Sequence, residues 1–159
     1  MKKLFISADI EGTCGITSWD ETQKNHPDWR YFADQMTREV AAACEGAKEG
    51  GIDQILVKDA HDSARNIDPS KLPVYAGIIR GWAGNPLSMM FGLDESYHGA
   101  VLTGSHSAAS WNGNPLAHTM NTQVIQLTIN GEAASEMMLN SLTAASMGVP
   151  IFAVTGDKQ

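Results

Sequence analysis

An α/β sandwich, with a mainly parallel sheet between helices, is the fold class this sequence predicts. Short apolar runs alternate with helical patterns along the chain. The runs are continuously apolar, as in strands buried on both faces. The length of 159 residues, 43% hydrophobic and 18% charged, suits one domain with a real core and excludes disorder, collagen and coiled coil.

The elements follow in order. Residues 4–8, 54–58, 74–79, 100–103 and 149–155 read as strands. Between the first two, residues 31–49 carry Phe32, Met36, Val40, Ala43 and Ala47 at helical spacing, with Gly50-Gly51 as a stop. A second helix is expected over 132–147, with Gly148 past its end and Pro150 beyond. Asn85-Pro86 is expected to open a shorter helix through Phe91. Residues 123–129 alternate, predicting a hairpin or sheet edge through Asn130-Gly131. No internal repeat, low-complexity tract or linker interrupts the pattern, so a single domain over 1–159 is expected.

Charge and cysteine usage narrow the function classes. Lys plus Arg number 11 against 18 Asp plus Glu, a formal charge of -7. Phosphate neutralisation needs the opposite balance, so no nucleic-acid partner is expected. An acidic surface weakly favours small cations. Cys14 and Cys44 form no C-x-x-C pair and no disulfide framework, the usage of a cytoplasmic protein. The opening apolar run meets Asp9 too early for an export signal, and no stretch approaches a membrane span, so no membrane partner is expected.

The strand ends carry the chemistry. Ligands in open α/β sheets bind beyond the carboxyl ends of the strands. Here the first strand runs into Asp9-Ile10-Glu11-Gly12, the second into Asp59-Ala60-His61-Asp62, and the fourth into Gly104-Ser105-His106-Ser107. Parallel strands gather Asp9, Glu11, Asp59, His61 and His106 on one rim. Carboxylates joined by imidazoles suit zinc, manganese or iron, and one bridging carboxylate can hold two cations about 3.5–4 Å apart. Taken singly, each of these residues reads equally well as a polar loop or capping group. Taken alone, His118 and Glu136 are also ordinary: a lone histidine in a mixed segment, and a glutamate in a first helical turn. His26 and His98 have no partner pattern.

Competing signatures fail. Gly12-Thr13-Cys14-Gly15 lacks the third glycine and following helix of a dinucleotide fingerprint. In Gly104-Ser105-His106-Ser107-Ala108 a histidine stands where a nucleophile-elbow serine belongs. Cys14 reads as an incidental small residue near the strand ends, and Met36, Met137 and Met138 read as helix packing. The segment from Thr13 to Asp28, with Trp19 and Trp29 at its end, is long for a connection and is expected over or beside the site.

The order of these motifs resembles the D-aminopeptidases of peptidase family M55, the DppA type. Ser7-Ala8-Asp9-Ile10-Glu11-Gly12 is similar to that family's opening Ser-x-Asp-x-Glu-Gly, and Lys58-Asp59-Ala60-His61-Asp62 to its Asp-x-His segment. Gly104-Ser105-His106-Ser107-Ala108, Leu116-Ala117-His118-Thr119-Met120, Ile129-Asn130-Gly131 with Ser135-Glu136, and Val154-Thr155-Gly156-Asp157 resemble the segments that follow. The resemblance implies two zinc ions, with manganese or another divalent metal as substitutes. Asp9 would bridge them, Glu11 and His61 hold one, His106 and Glu136 hold the other, and His118 would be the catalytic histidine. It implies metal-assisted hydrolysis of short peptides at the N-terminal bond, with D-residues preferred and the substrate's ammonium group received by carboxylates. It further implies a ring-shaped homo-oligomer and a C-terminal region beyond residue 159, so the chain is expected to be the N-terminal catalytic part of a longer protein. Two other classes share parts of the pattern. A magnesium-dependent phosphatase using Asp9 as nucleophile has little use for a ring of histidines, and a non-catalytic metal-binding module has no need of His118.

Overall fold

The computed structural model describes residues 1–157; Lys158 and Gln159, in the expected chain ending, lie outside the described residues. Five strands build the sheet: β1 (Lys3–Ala8), β2 (Gln54–Asp59), β3 (Ala76–Ile79), β4 (Gly99–Ser105) and β7 (Ile151–Gly156). Their spatial order is β3-β2-β1-β4-β7, and every neighbouring pair runs parallel. The chain winds outward from β1 to β3, then returns to the other side of β1 with β4. That reversal between β1 and β4 is the switch point at which such sheets open a crevice.

Register makes the crevice a shared rim. Ala8 stands abreast of Asp59 on one side and Thr103 on the other, so β1 and β2 end level and β4 runs two residues further. Beyond them the backbones stay close, with Asp9 N–H donating to Thr103 O and Gly12 N–H to Gly104 O, both at 2.9 Å. A Cβ on Gly12 would sit 2.0 Å from Ser105 O, and one on Gly104 2.1 Å from Asp9 O. Glycine at both positions is what lets the two loops converge.

The two faces of the sheet are packed separately. On one, Leu4, Ile6 and Ala8 meet Met36, Val40 and Cys44 of α1 (Trp29–Glu49). On the other, Phe5 and Leu102 meet Met90, Leu93, Ala144 and Val149. Ala144 belongs to α2 (Glu136–Ser146). Alternation along a strand explains the division, and truncating fully buried Ile6 to Ala would cost about 2–5 kcal/mol. The edge strand β7 leaves Phe152 and Val154 exposed.

Four expectations need correction. The second helix starts at Glu136, not 132: Glu132–Ala133 form β6, paired antiparallel with β5 (Thr128–Ile129) across Asn130-Gly131. Both turn residues have positive φ, as a two-residue hairpin requires. Ser135 then caps α2, its hydroxyl accepting from Met138 N–H. The helix expected over 85–91 is a single 3-10 turn at Ser88–Met90, with positive φ at Ser88 and Gly92. β3 begins at Ala76, because Ala76 N–H closes a turn on Pro73 O and leaves Val74 fully exposed. Lastly, residues 123–127 join neither sheet, and Ile125 is exposed. No helix among the described residues is long and apolar enough to cross a membrane.

Candidate metal centre

Asp9, Glu11, His61, His106, His118 and Glu136 are all brought together at the strand ends, and all are buried. Their donor atoms form three triads, each with its atoms within 4.8 Å of one another: Asp9, Glu11 and His61; Asp9, His106 and Glu136; Glu11, His106 and His118. Asp59 is not among them. Its carboxylate accepts from Asn66 N–H, Ile67 N–H and the Asn66 side chain, fixing the loop that carries His61.

Each imidazole has one nitrogen tied to a backbone carbonyl and the other turned to carboxylates. His61 Nε2 lies 2.9 Å from Thr22 O, and its Nδ1 lies 3.3 Å from Asp9 Oδ1 and 3.0 Å from Glu11 Oε2. His106 Nδ1 faces Ser107 O at 3.1 Å, with Nε2 3.6 Å from Asp9 Oδ2 and 3.4 Å from Glu136 Oε1. His118 Nδ1 faces Leu116 O at 2.8 Å, with Nε2 3.4 Å from Glu136 Oε1 and 3.7 Å from Glu11 Oε1. A carbonyl accepts only, so it holds an N–H on the outer nitrogen. In the neutral ring the inner nitrogen then presents a lone pair to carboxylate oxygens. Such an arrangement calls for a cation between them, and carbonyl-anchored imidazoles are the usual support of metal ligands.

The electrostatics point the same way. Burial pushes the Asp9 carboxyl up, but His106 and His61 outweigh it and hold it well below its ordinary value. Glu11 is raised to about 7 by burial and then by the charge of Asp9. Burial lowers His106, yet Asp9 and Glu136 overcome this and push it up to about 11. Burial, followed by the charge of His106, lowers His118. Three buried carboxylates facing imidazoles that differ this much make a cluster built around positive charge.

The surroundings shape a cleft of about 330 Å³ over these groups, walled by Trp82, Met89 and Met120. Trp82 is held from below by Lys58, which sequence reasoning passed over as one lysine inside an apolar strand. Lys58 is fully buried, donates to Asp59 O at 2.5 Å and Gly81 O at 3.0 Å, and lies 4.1 Å from the Trp82 ring centroid. Burial lowers its pKa. The loop from Thr13 to Asp28 does lie beside the centre: Thr22 anchors His61, and Trp19 stands edge-on to His118 at 5.2 Å. His118 in turn stacks on His106 at 4.1 Å. Cys14 is exposed, His26 faces Asp20 at the surface, and His98 accepts from Lys3 N–H, all apart from the cluster.

A parallel α/β sheet with a buried carboxylate–imidazole cluster at its switch point defines a candidate metallohydrolase. The chain belongs to peptidase family M55, described as D-aminopeptidase, whose family model matches residues 1–159. It is 34% identical over 158 residues to the D-aminopeptidase of Bacillus subtilis (strain 168), covering 98% of this chain and 56% of that protein. A solved structure from the same organism, the Zn-dependent D-aminopeptidase DppA described as a self-compartmentalizing protease, superposes with a TM-score of 0.91. The two are 30% identical, over 97% of this chain and 56% of the other. The chain thus spans about half the length of these relatives.

Proposed function

We propose that this chain carries the centre of a dinuclear zinc aminopeptidase that releases N-terminal residues, D-residues preferentially, from short peptides. The observation that carries the reading is that Asp9 turns Oδ1 to His61 and Oδ2 to His106, and so joins the two triads that each hold two carboxylates and one imidazole, as a bridging carboxylate would. In this reading Glu11 and His61 complete one site, His106 and Glu136 the other, and manganese or another divalent ion suits the same donors. The Zn-dependence of the superposing relative supports zinc.

When bound, such a pair polarises the scissile carbonyl and activates water at neutral pH. The protein's own groups do the rest. Asp62, the carboxylate lining the cleft that is assigned to no metal, is placed to receive the substrate's ammonium group, and Trp82, Met89 and Met120 wall the cleft. His118, with Nδ1–H held by Leu116 O, offers the Nε2 lone pair to the reacting group as proton carrier or, once protonated there, as hydrogen-bond donor to the oxyanion. We further propose that the chain is the catalytic N-terminal part of a longer protein that works as a ring-shaped homo-oligomer in the cytoplasm. The relative described as self-compartmentalizing, the length of both relatives and the exposed Phe152 and Val154 support this.

Metal analysis with a matched panel of D- and L-alanyl peptides and phosphate esters tests the reading. Two zinc ions per chain and faster release of D-alanine are expected. Full activity after exhaustive chelation, or hydrolysis of the esters alone, overturns it.

A further inference from the structure

Basic side chains are scarce in this protein, 11 against 18 acidic ones. Five of them nevertheless line a single cleft of about 300 Å³: Lys24, Arg30, Arg65, Lys71 and Arg80. They come from separate places in the chain: the loop before α1, the first turn of α1, the segment between β2 and β3, and the residue after β3. Asp34 and Asp68 share the cleft and offset part of its charge, chiefly that of Lys71. Asp34 pairs with Lys71 and Arg38, and Asp68 accepts from the Ser70 hydroxyl and N–H. Among the described residues no carboxylate lies within ion-pair distance of Lys24, Arg30, Arg65 or Arg80. Four cations without an ion-pair partner, of which Arg30 alone lies in the field of Asp68, converge on one concavity in a chain of net charge -7 and form a site for an anion.

The position of the cleft identifies the anion. Lys24 and Arg65 also line a recess of about 950 Å³, and that recess shares His61 and Asp62 with the cleft over the carboxylate cluster. The three recesses thus adjoin, with carboxylates lining the first and guanidinium and ammonium groups the last. A short peptide has the complementary polarity, an ammonium at its first residue and a carboxylate at its last. The cationic end is also held in place. Asn66, next to Arg65, is pinned by Asp59, by His61 O and by the indole N–H of Trp29, while Lys24 lies over the Trp29 ring.

We propose that this cleft is the subsite for the C-terminal carboxylate of the peptide, with Arg65 and Lys24 as its direct contacts and Arg30 and Arg80 adding to the field. The inference rests on the aminopeptidase reading and deepens it: the enzyme selects short peptides with a free C-terminus. Arginine suits the role, because its planar fork matches a carboxylate bidentately.

The test compares D-Ala-Gly-Gly with its C-terminal amide on the zinc-loaded protein. The wild type is expected to favour the acid by about tenfold or more in kcat/KM, the scale of one charge-assisted hydrogen bond. In the Lys24→Ala/Arg65→Ala double variant that ratio falls towards one, and Arg65→Lys retains part of it. Calorimetric titration of acid and amide analogues with a reduced first peptide bond should give the same ratio in Kd. Equal constants for acid and amide in the wild type overturn the inference and leave the peptidase reading standing. So does a double variant that weakens both peptides alike, as a merely structural role would. Inorganic phosphate that raises the Tm of the wild type but not of the double variant, with acid and amide equal, marks a free-anion site instead. Hydrolysis of neither peptide overturns the peptidase reading and this inference with it.

Discussion

The two halves of the donor cluster are built in different ways. Asp9, Glu11 and His61 stand on the loops leaving β1 and β2, neighbouring strands whose ends are level. Glu136 and His118 reach the cluster from the first residue of α2 and from an irregular stretch beyond β4. What holds that second half is a side-chain network. Thr119 Oγ1 accepts from Ala109 N–H and donates to Ala134 O, Met120 N–H donates to Glu136 Oε1, and His118 N–H donates to Ser107 O. The comparison teaches that a sheet can place half a site at level strand ends, with Asp59 and Thr22 O steadying the His61 loop. The other half depends on a few hydrogen bonds, and it should be the easier one to perturb from a distance.

Asp9 joins the halves, so its removal should have the largest effect. Asp9→Ala is expected to abolish hydrolysis and to leave the purified protein with almost no metal, whereas His61→Ala should lose the metal of the first half before that of the second. Metal content by mass spectrometry checks both. Equal loss from either variant would erase the distinction between the halves.

The next effect belongs to His118, which lies close enough to Glu11 and His106 to form a third donor triad. If it acts on the reacting group, His118→Ala lowers kcat by about 10²–10⁴-fold while metal content stays at the wild-type level. Loss of metal would make it a ligand of the second half.

Thr119→Val probes the network without touching a donor. Ala109 N–H and Ala134 O both lose their partner, at about 1–3 kcal/mol for each buried group left unsatisfied. Affinity for the metal of the second half should fall by about 10–100-fold, the usual consequence of disturbing the support behind a ligand. Stepwise chelation reads this out: one ion should leave earlier than in the wild type, the other unchanged.

The smallest effect on activity is expected from Lys58→Met, under the first half. The carbonyls of Asp59 and Gly81 lose their donor, at about 1–3 kcal/mol, and Tm should drop by about 2–4 °C for each kcal/mol. Trp82 loses its seat, so tryptophan fluorescence should shift to the red and KM rise more than kcat falls. Unchanged emission would show that Trp82 is held by its indole N–H on Asp62 O alone.

Much of this was legible in the residues themselves. Continuous apolar runs mark where all five strands of the sheet stand, but burial on both faces holds only for the central β1, β2 and β4, while the edge strands β3 and β7 are partly or largely exposed. Parallel strands make their loops converge, so the placement of Asp9, Glu11, His61 and His106 on one rim follows from topology. Glu136 and His118 carried no such signal. Their seats depend on a hairpin and a hydrogen-bond network that no local pattern encodes, and their assignment rested on resemblance.

Other features were decided by tertiary structure alone. Asp59 and His61 are two residues apart, yet only packing sends one into the loop behind and the other into the cluster. The tautomer of each imidazole is set by a carbonyl, one of them Thr22 O from a distant loop. Lys58 looks like an interruption in a strand until its carbonyl partners and Trp82 close over it. The cationic cleft draws on residues from 24 to 80, each unremarkable in its own segment. Composition and periodicity act over a few residues and therefore determine elements. Charge acts through space, so a site made of charges exists only once the chain has folded.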